Sequence, residues 1–137
     1  MKSVNTGTVR FTEYGPKDIL KKIEKGMPYK EVILLQAQLG IDKEMLAGLL
    51  RISPRTYDRR KLDGKLDSQE TDRALRLRRI IQLTIEMYDG DEGAAKAWLR
   101  QSIPALEGLK PLDLIETEAG AVLVENLIGR IEAGVFS

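Results

Sequence analysis

The segment Ile41-Asp42-Lys43-Glu44-Met45-Leu46-Ala47-Gly48-Leu49-Leu50-Arg51-Ile52-Ser53-Pro54-Arg55-Thr56-Tyr57-Asp58-Arg59-Arg60 constrains the fold more than any other part of the chain. Met45, Leu46, Leu49 and Leu50 recur at helical spacing behind Asp42, a residue suited to cap a helix N-terminus. Ala47 and Gly48 are small, which would let a neighbouring helix come close. Arg51-Ile52-Ser53 then reads as a tight turn. Ser53 is placed to cap a second helix, and Pro54 falls at its first position, where a missing N–H costs nothing. This helix is expected to run to about Leu62, with Gly64 as its stop. Two short helices joined by such a turn form a helix-turn-helix, the arrangement that sets its second helix in the major groove of DNA.

The second helix carries the residue types that groove reading needs. Arg55, Thr56 and Arg59 lie near one face. Arg55 and Arg59 suit bidentate contact with guanine, and Thr56 suits a thymine methyl or a phosphate. Arg60 and Lys61 are expected at the DNA backbone, and Ser53 joins this DNA-binding set at the helix N-terminus. Tyr57 is expected in the core with its hydroxyl at the rim, and Ile52 in the core. The competing structural reading is a short polar helix packed in an all-α protein with no DNA role. One such helix buries little surface, and specific binders pair two half-sites about one helical turn apart. A homodimer through the central helices is therefore expected. The apolar stripe from Leu66 to Ile85 is its candidate face, with intramolecular core as the alternative use.

The rest of the chain also reads as helices. Pro16 and Asp18 suit a helix start, with Ile19, Leu20 and Ile23 on one face and Gly26 at its end. Pro28 opens a helix carrying Val32, Ile33, Leu35, Gln36 and Leu39, which Gly40 ends. Asp67 with Glu70 makes a capping pair for a long helix, roughly 68–88. Its apolar face is Ala74, Leu75, Leu77, Ile80, Ile81, Thr84, Ile85 and Tyr88, while Arg73, Arg76, Arg78 and Arg79 fill most of the rest of its first half. Asp91 starts a helix through Trp98 and Leu99. Pro111-Leu112-Asp113-Leu114-Ile115 looks like a single turn. Thr117 caps a last helix with Ala119, Val122, Leu123, Leu127, Ile128 and Ile131 at helical spacing. Residues 1–15, with Val9, Phe11 and Tyr14, read as a loose tail.

Charge divides the chain. Residues 51–85 hold 10 Lys/Arg against 5 Asp/Glu, and residues 86–137 hold 4 against 10, so a basic middle precedes an acidic end although the net charge is only +1. A basic stripe beside a helix-turn-helix fits a phosphate backbone, and the acidic part is expected to face protein. The chain has no histidine and no cysteine. That removes the usual catalytic base, thiolate metal sites and disulfides. No Asp-rich loop of calcium-binding pattern appears, so neither metal nor cofactor is expected. No run approaches the ~20 apolar residues of a membrane span, and the N-terminus lacks the apolar core of a secretory signal. A cytoplasmic protein is expected.

A resemblance joins these observations. Thr56-Tyr57-Asp58-Arg59-Arg60, Gly64-Lys65-Leu66, Glu70-Thr71-Asp72-Arg73 and Leu75-Arg76-Leu77-Arg78-Arg79-Ile80 follow one another. After them come Ala97-Trp98-Leu99, Pro111-Leu112-Asp113-Leu114, Thr117-Glu118-Ala119-Gly120 and Arg130-Ile131-Glu132-Ala133-Gly134-Val135-Phe136. In this order and spacing, over about residues 30–137, they resemble the Xre/MbcA/ParS antitoxin family. Thr71 departs mildly from the Ser common in related chains.

The resemblance implies an all-α chain, with a Cro-like helix-turn-helix N-terminal part and a small helical toxin-binding domain at the C-terminus. With the helix pattern read above, which alone covers the first thirty residues, the chain is expected to divide into the tail 1–15, a DNA-binding and dimerisation region 16–88, and a toxin-binding domain 89–137. The resemblance further implies a type II toxin–antitoxin module whose partner is a RES-domain toxin that consumes NAD⁺. The chain itself is then not an enzyme: it blocks the toxin's active site and binds its own operator. The matching toxin-side positions are Trp98, Leu99, Pro111, Leu112, Thr117, Gly120, Arg130, Gly134 and Val135. Trp98, Leu99 and Leu112 are expected in the core. Arg130, Glu132, Gly134, Val135, Phe136 and Ser137 are expected to touch toxin. Competing functions are a stand-alone helix-turn-helix regulator and a partition or adaptor protein that binds DNA and neutralises nothing. An enzyme using Glu116 and Glu118 is also conceivable, but two glutamates beside a helix cap more simply answer the helix dipole.

Overall fold

The computed structural model describes residues 15–134, so Val9, Phe11 and Tyr14 of the N-terminal tail and Val135, Phe136 and Ser137 lie outside the described residues. Helices α1 (Pro16–Lys25), α2 (Tyr29–Leu39), α3 (Lys43–Leu50) and α4 (Pro54–Asp63) lead into the long α5 (Ser68–Met87). Then follow α6 (Glu92–Leu99), a 3-10 turn (Pro104–Leu106), α7 (Pro111–Leu114) and α8 (Glu118–Glu132). The chain is all-α: the only extended pairing among the described residues is an isolated bridge between Pro28 and Lys65. No helix of the described residues is long and apolar enough to cross a membrane.

Side-chain caps set most of the helix starts. Asp42, Ser53, Asp67, Asp91 and Thr117 each accept a hydrogen bond from the backbone N–H three residues on. Each cap satisfies a donor that the helix itself cannot. At Asp67 the pairing is reciprocal, because the Glu70 carboxylate also accepts from the Asp67 N–H at 3.0 Å.

Helix α5 is the axis of the molecule, with α1, α2, α3, α6 and α8 all packed on it. Ala74, Leu75, Leu77, Ile80, Ile81 and Ile85 are buried in one continuous core that also takes in Val32, Leu46, Leu50, Trp98, Leu99, Leu112 and Ile128. Of the two uses expected for the central stripe, self-association and intramolecular core, the structure shows the second. The stripe from Leu66 to Ile85 is consumed inside one chain, because neighbours on both sides of α5 need it as core, and nothing of it is left to self-associate. Trp98, Leu99 and Leu112 are core, as expected.

Two close approaches lock the ends of α5's neighbours. The strand-like passage before α2 lies against the exit of α4: the Leu66 N–H donates to Met27 O at 3.0 Å and the Tyr29 N–H to Gly64 O at 2.9 Å. The buried Thr71 hydroxyl accepts from the Met27 N–H at 2.9 Å, so the hydroxyl common to Ser and Thr is what this position uses. At the other end, the first turn of α8 sits on the last turn of α7. A side chain at Gly120 would overlap the Leu114 carbonyl oxygen, and its Cβ would lie 2.7 Å from the carbonyl carbon. Gly120→Ala is therefore expected to lower stability by about 2–3 kcal/mol, read as a fall in the urea midpoint. An unchanged midpoint would show that the two helices can part at no cost.

Candidate functional site

Helix α4 is built outward from two anchors. Tyr57 is fully buried, its ring 5.9 Å from that of Tyr29, and its hydroxyl donates to Gln36 Oε1 at 3.2 Å. Burial is the main reason its phenol is pushed above the ordinary value. This is the core position with a hydroxyl at the rim that the sequence suggests. The second anchor is Arg60. Its guanidinium grips Glu70 through two bonds, Nε to Oε1 at 2.6 Å and Nη2 to Oε2 at 2.8 Å, and it reaches Asp63 Oδ2 at 2.9 Å and Asp67 at 3.5 Å. Arg60 was expected at the DNA backbone. Instead three carboxylates hold it, and it fastens α4 to the start of α5.

The turn before α4 is also closed internally. Arg51 occupies the left-handed region, φ 62°, and its N–H bonds Gly48 O at 3.0 Å while Ile52 N–H bonds Ala47 O at 3.0 Å. Ile52 is partly buried against the core. Ser53 Oγ accepts from the Thr56 N–H at 3.0 Å and donates to Thr56 Oγ1 at 3.1 Å. Ser53 and Thr56, both expected at DNA, thus spend part of their bonding capacity on the cap. Lys61 is exposed.

With Tyr57 and Arg60 inward, the opposite face of α4 is Arg55, Asp58, Arg59 and Leu62, all exposed. Arg55 and Arg59 are therefore brought together on the outer face, as their spacing suggests. Asp58 and Leu62 share that face and were passed over, because a carboxylate and a leucine do not look like DNA ligands in isolation. Lys43 of α3 reaches across to Asp58 Oδ1 at 3.1 Å.

The basic stripe of α5 proves to be internal wiring. Arg73 donates to Leu50 O at 3.1 Å, so it satisfies a carbonyl at the end of α3. Arg76 donates to Ile115 O at 3.3 Å and Glu116 O at 2.7 Å. Arg78 meets Glu31 at 3.4 Å, and Arg79 meets Glu118 at 3.1 Å. The charge count over 51–85 is real, but these four guanidiniums point at carbonyls and carboxylates of the same chain. The outward positive charge of this part sits on and beside α4.

A second exposed face lies on α8. Its inner side is Gly120, Ala121, Val124, Leu127 and Ile128. Val122 and Leu123, expected in the buried stripe, stand out at 39% and 55% exposure. Helical spacing aligns them with Asn126, Gly129 and Arg130, which are also exposed. The expected face is rotated because apolar residues occur on more than half of the helix circumference, and the contact with Leu114 at Gly120 chooses the side. Similarly, Met45 and Gly48 of α3 face solvent, while Ala47 takes the buried position beside Leu46. No neighbour lies within 4 Å of a Cβ built at Gly48, so Gly48 admits no helix. Arg130, Glu132 and Gly134 are all exposed. No cluster of potential metal ligands occurs among the described residues.

Comparison with known proteins fits both faces. Residues 18–79 match a family model described as the antitoxin Xre-like helix-turn-helix domain, and residues 84–134 match one described as the antitoxin Xre/MbcA/ParS C-terminal toxin-binding domain. Antitoxin Xre of Yersinia enterocolitica is 32% identical over 87% of this chain and 81% of its own length. The chain belongs to the Xre antitoxin family. Antitoxin Xre of Photorhabdus laumondii is 30% identical over 95% of the chain and 88% of its own length. A Sphingobium protein named Prs ADP-ribosylating antitoxin is 26% identical over 89% of the chain and 82% of its own length. The helix-turn-helix match ends and the toxin-binding match begins within α5, so in this Xre-family chain one helix serves the helix-turn-helix and the C-terminal part together.

The Arg60–Glu70 cluster makes the seating of α4 depend on pH. Burial pushes the Glu70 carboxyl up, but the hydrogen bonds from Arg60 and from the Asp67 N–H, with the charges of Arg60 and Arg73, outweigh it and hold it below the ordinary carboxylate value. A depressed folded value means that the stabilisation is complete above the unfolded pKa, about 4.3, and is lost as pH falls through the folded one. The stability advantage of the wild type over Glu70→Gln, measured by denaturant unfolding, should therefore be full at neutral pH and shrink from roughly pH 5 downward. A constant difference down to about pH 3 would mean that Glu70 is not held ionised in the fold.

Proposed function

We propose that this chain neutralises a cognate RES-domain toxin that consumes NAD⁺, by covering the toxin's active site, and that it binds its own operator to control transcription of the pair. The observation that carries the proposal is that one continuous core presents two outward faces, on two different helices. The arginines of α4 form one, and the exposed apolar side of α8 running to Arg130 forms the other. The second lies wholly within the part that matches a toxin-binding domain. Leu123 and Val122 supply apolar area that α8 leaves uncovered, and Arg130 with Glu132, Gly134 and the residues 135–137 continue the same end of the chain.

Chemistry supports an NAD⁺-consuming partner. A site that binds this dinucleotide must hold a pyrophosphate, and such sites are commonly electropositive. The acidic balance of residues 86–137 is complementary to that surface. A relative is named as an ADP-ribosylating antitoxin, and ADP-ribosyl transfer draws on the same dinucleotide. The helix-turn-helix part, residues 16–88, is assigned to the operator, and residues 89–137 to the toxin. Arg55 and Arg59 are the base-reading residues, with Ser53, Thr56 and Lys61 at the phosphates. Two copies on the operator would have to meet through a surface other than the α5 stripe.

Two predictions follow from this division. Co-expressed with the product of the adjacent reading frame, the wild-type chain should restore growth and cellular NAD⁺. Leu123→Asp combined with removal of residues 130–137 should lose that protection while retaining the melting transition and DNA binding. Protection by the doubly altered chain would remove α8 from the toxin interface. On the DNA side, Arg55→Ala and Arg59→Ala should each cost about 1–3 kcal/mol at the operator with little effect on random duplex. Equal losses on both would make them phosphate contacts.

A further inference from the structure

The outer face of α4 is not a plain cationic surface. In order it presents Arg55, Asp58, Arg59 and Leu62, at i, i+3, i+4 and i+7, the set that a helix lying along a groove turns toward it. A surface built for phosphates alone would place hydrogen-bond donors at these positions and has no use for a carboxylate or a leucine there. This one presents donors, an acceptor, donors and an apolar group, which are the partner types that base edges in the major groove call for. The acceptor is kept compatible with nearby phosphates because Lys43 neutralises Asp58 at 3.1 Å.

Leu62 has no structural reason to be apolar. It is 87% exposed, more than any other large hydrophobic residue among those described, and it does not belong to the core. Single exposed leucines are common on proteins. This one, however, lies directly opposite the buried Tyr57–Arg60 side of the recognition helix, one turn beyond Asp58 and Arg59 and two turns beyond Arg55.

We propose that Leu62 is a specificity-determining residue that packs on the 5-methyl group of a thymine in the operator, beside guanines bonded by Arg55 and Arg59. The proposal rests on the reading that α4 enters duplex DNA. Thymine is the base whose major-groove edge offers a methyl group, so an apolar side chain at this height discriminates it from the other three.

The test uses the full chain. Duplexes are selected from a random pool by the wild-type protein. The selected sequence is then synthesised with deoxyuridine replacing each thymine in turn, which removes only the methyl group. Binding is measured by fluorescence anisotropy for the wild type and for Leu62→Ala, with thermal unfolding confirming that the exposed substitution leaves the fold intact. At one thymine per half-site the wild type should lose about fourfold in affinity on replacement, the factor for burying one methyl group. Leu62→Ala should bind the thymine duplex as weakly as the wild type binds the deoxyuridine duplex, and should not distinguish the two. If Leu62→Ala discriminates as the wild type does, or if the wild type discriminates at no thymine, Leu62 does not read this methyl. A change in oligomeric state without any thymine effect would instead make Leu62 a contact between copies. If the wild-type chain enriches no sequence from the pool, the DNA reading itself falls, and this inference falls with it.

Discussion

The structure depends on how α5 is shared. Its twenty residues supply core side chains to the helices before it and to those after it, so neither group has a complete core without it. Burial of each of its large aliphatic side chains contributes about 1.5–3 kcal/mol, and the same helix face serves both sides. The arginines on its remaining surface extend that sharing. Arg73 ties α5 to the end of α3, while Arg76 and Arg79 tie it to the α7–α8 corner. Guanidinium forks suit this use, since each can satisfy helix-end carbonyls that would otherwise lack partners.

A shared core explains how two faces can be presented by a chain of this length. Helix α4 is held from within by Tyr57 and by the Arg60–Glu70 pair, so its outer side, where Asp58 bonds Lys43, is left exposed. Helix α8 is held by Gly120 against Leu114 and by a buried side of small and branched residues. That leaves Val122, Leu123 and Arg130 to the outside. Arg51 of the helix-turn-helix turn also approaches Glu116 of the α7–α8 corner, at 3.8 Å. Both side chains are about half exposed, so this contact adds little stability.

Much of this was legible in the sequence, because local chemistry sets helix ends. Asp42, Ser53 with Pro54, Asp67 with Glu70, Asp91 and Thr117 announce their helices, and glycines 26, 40 and 64 announce the stops. The resemblance carried by Trp98-Leu99, Pro111-Leu112-Asp113-Leu114 and Thr117 to Gly120 located the C-terminal part. What the sequence hid was the destination of long side chains. Arg60 and Arg59 look alike in a string of letters, yet one is bound to a buried carboxylate ten residues on and the other faces out. Arg73, Arg76, Arg78 and Arg79 read as a phosphate-binding stripe because their acceptors are brought near only by the fold. The face of α8 was misplaced for the same reason, since Gly120 is chosen by a backbone contact with α7 that periodicity does not encode.

The most direct test of two independent faces on one core is amide hydrogen exchange of the chain alone and with the proposed toxin, the product of the adjacent reading frame. The account predicts added protection along α8 and residues 130–137, with exchange in α4 unchanged. Protection at α4 in place of α8, or no protection anywhere in a chain that co-purifies with that product, would contradict the assignment of α8 to the toxin.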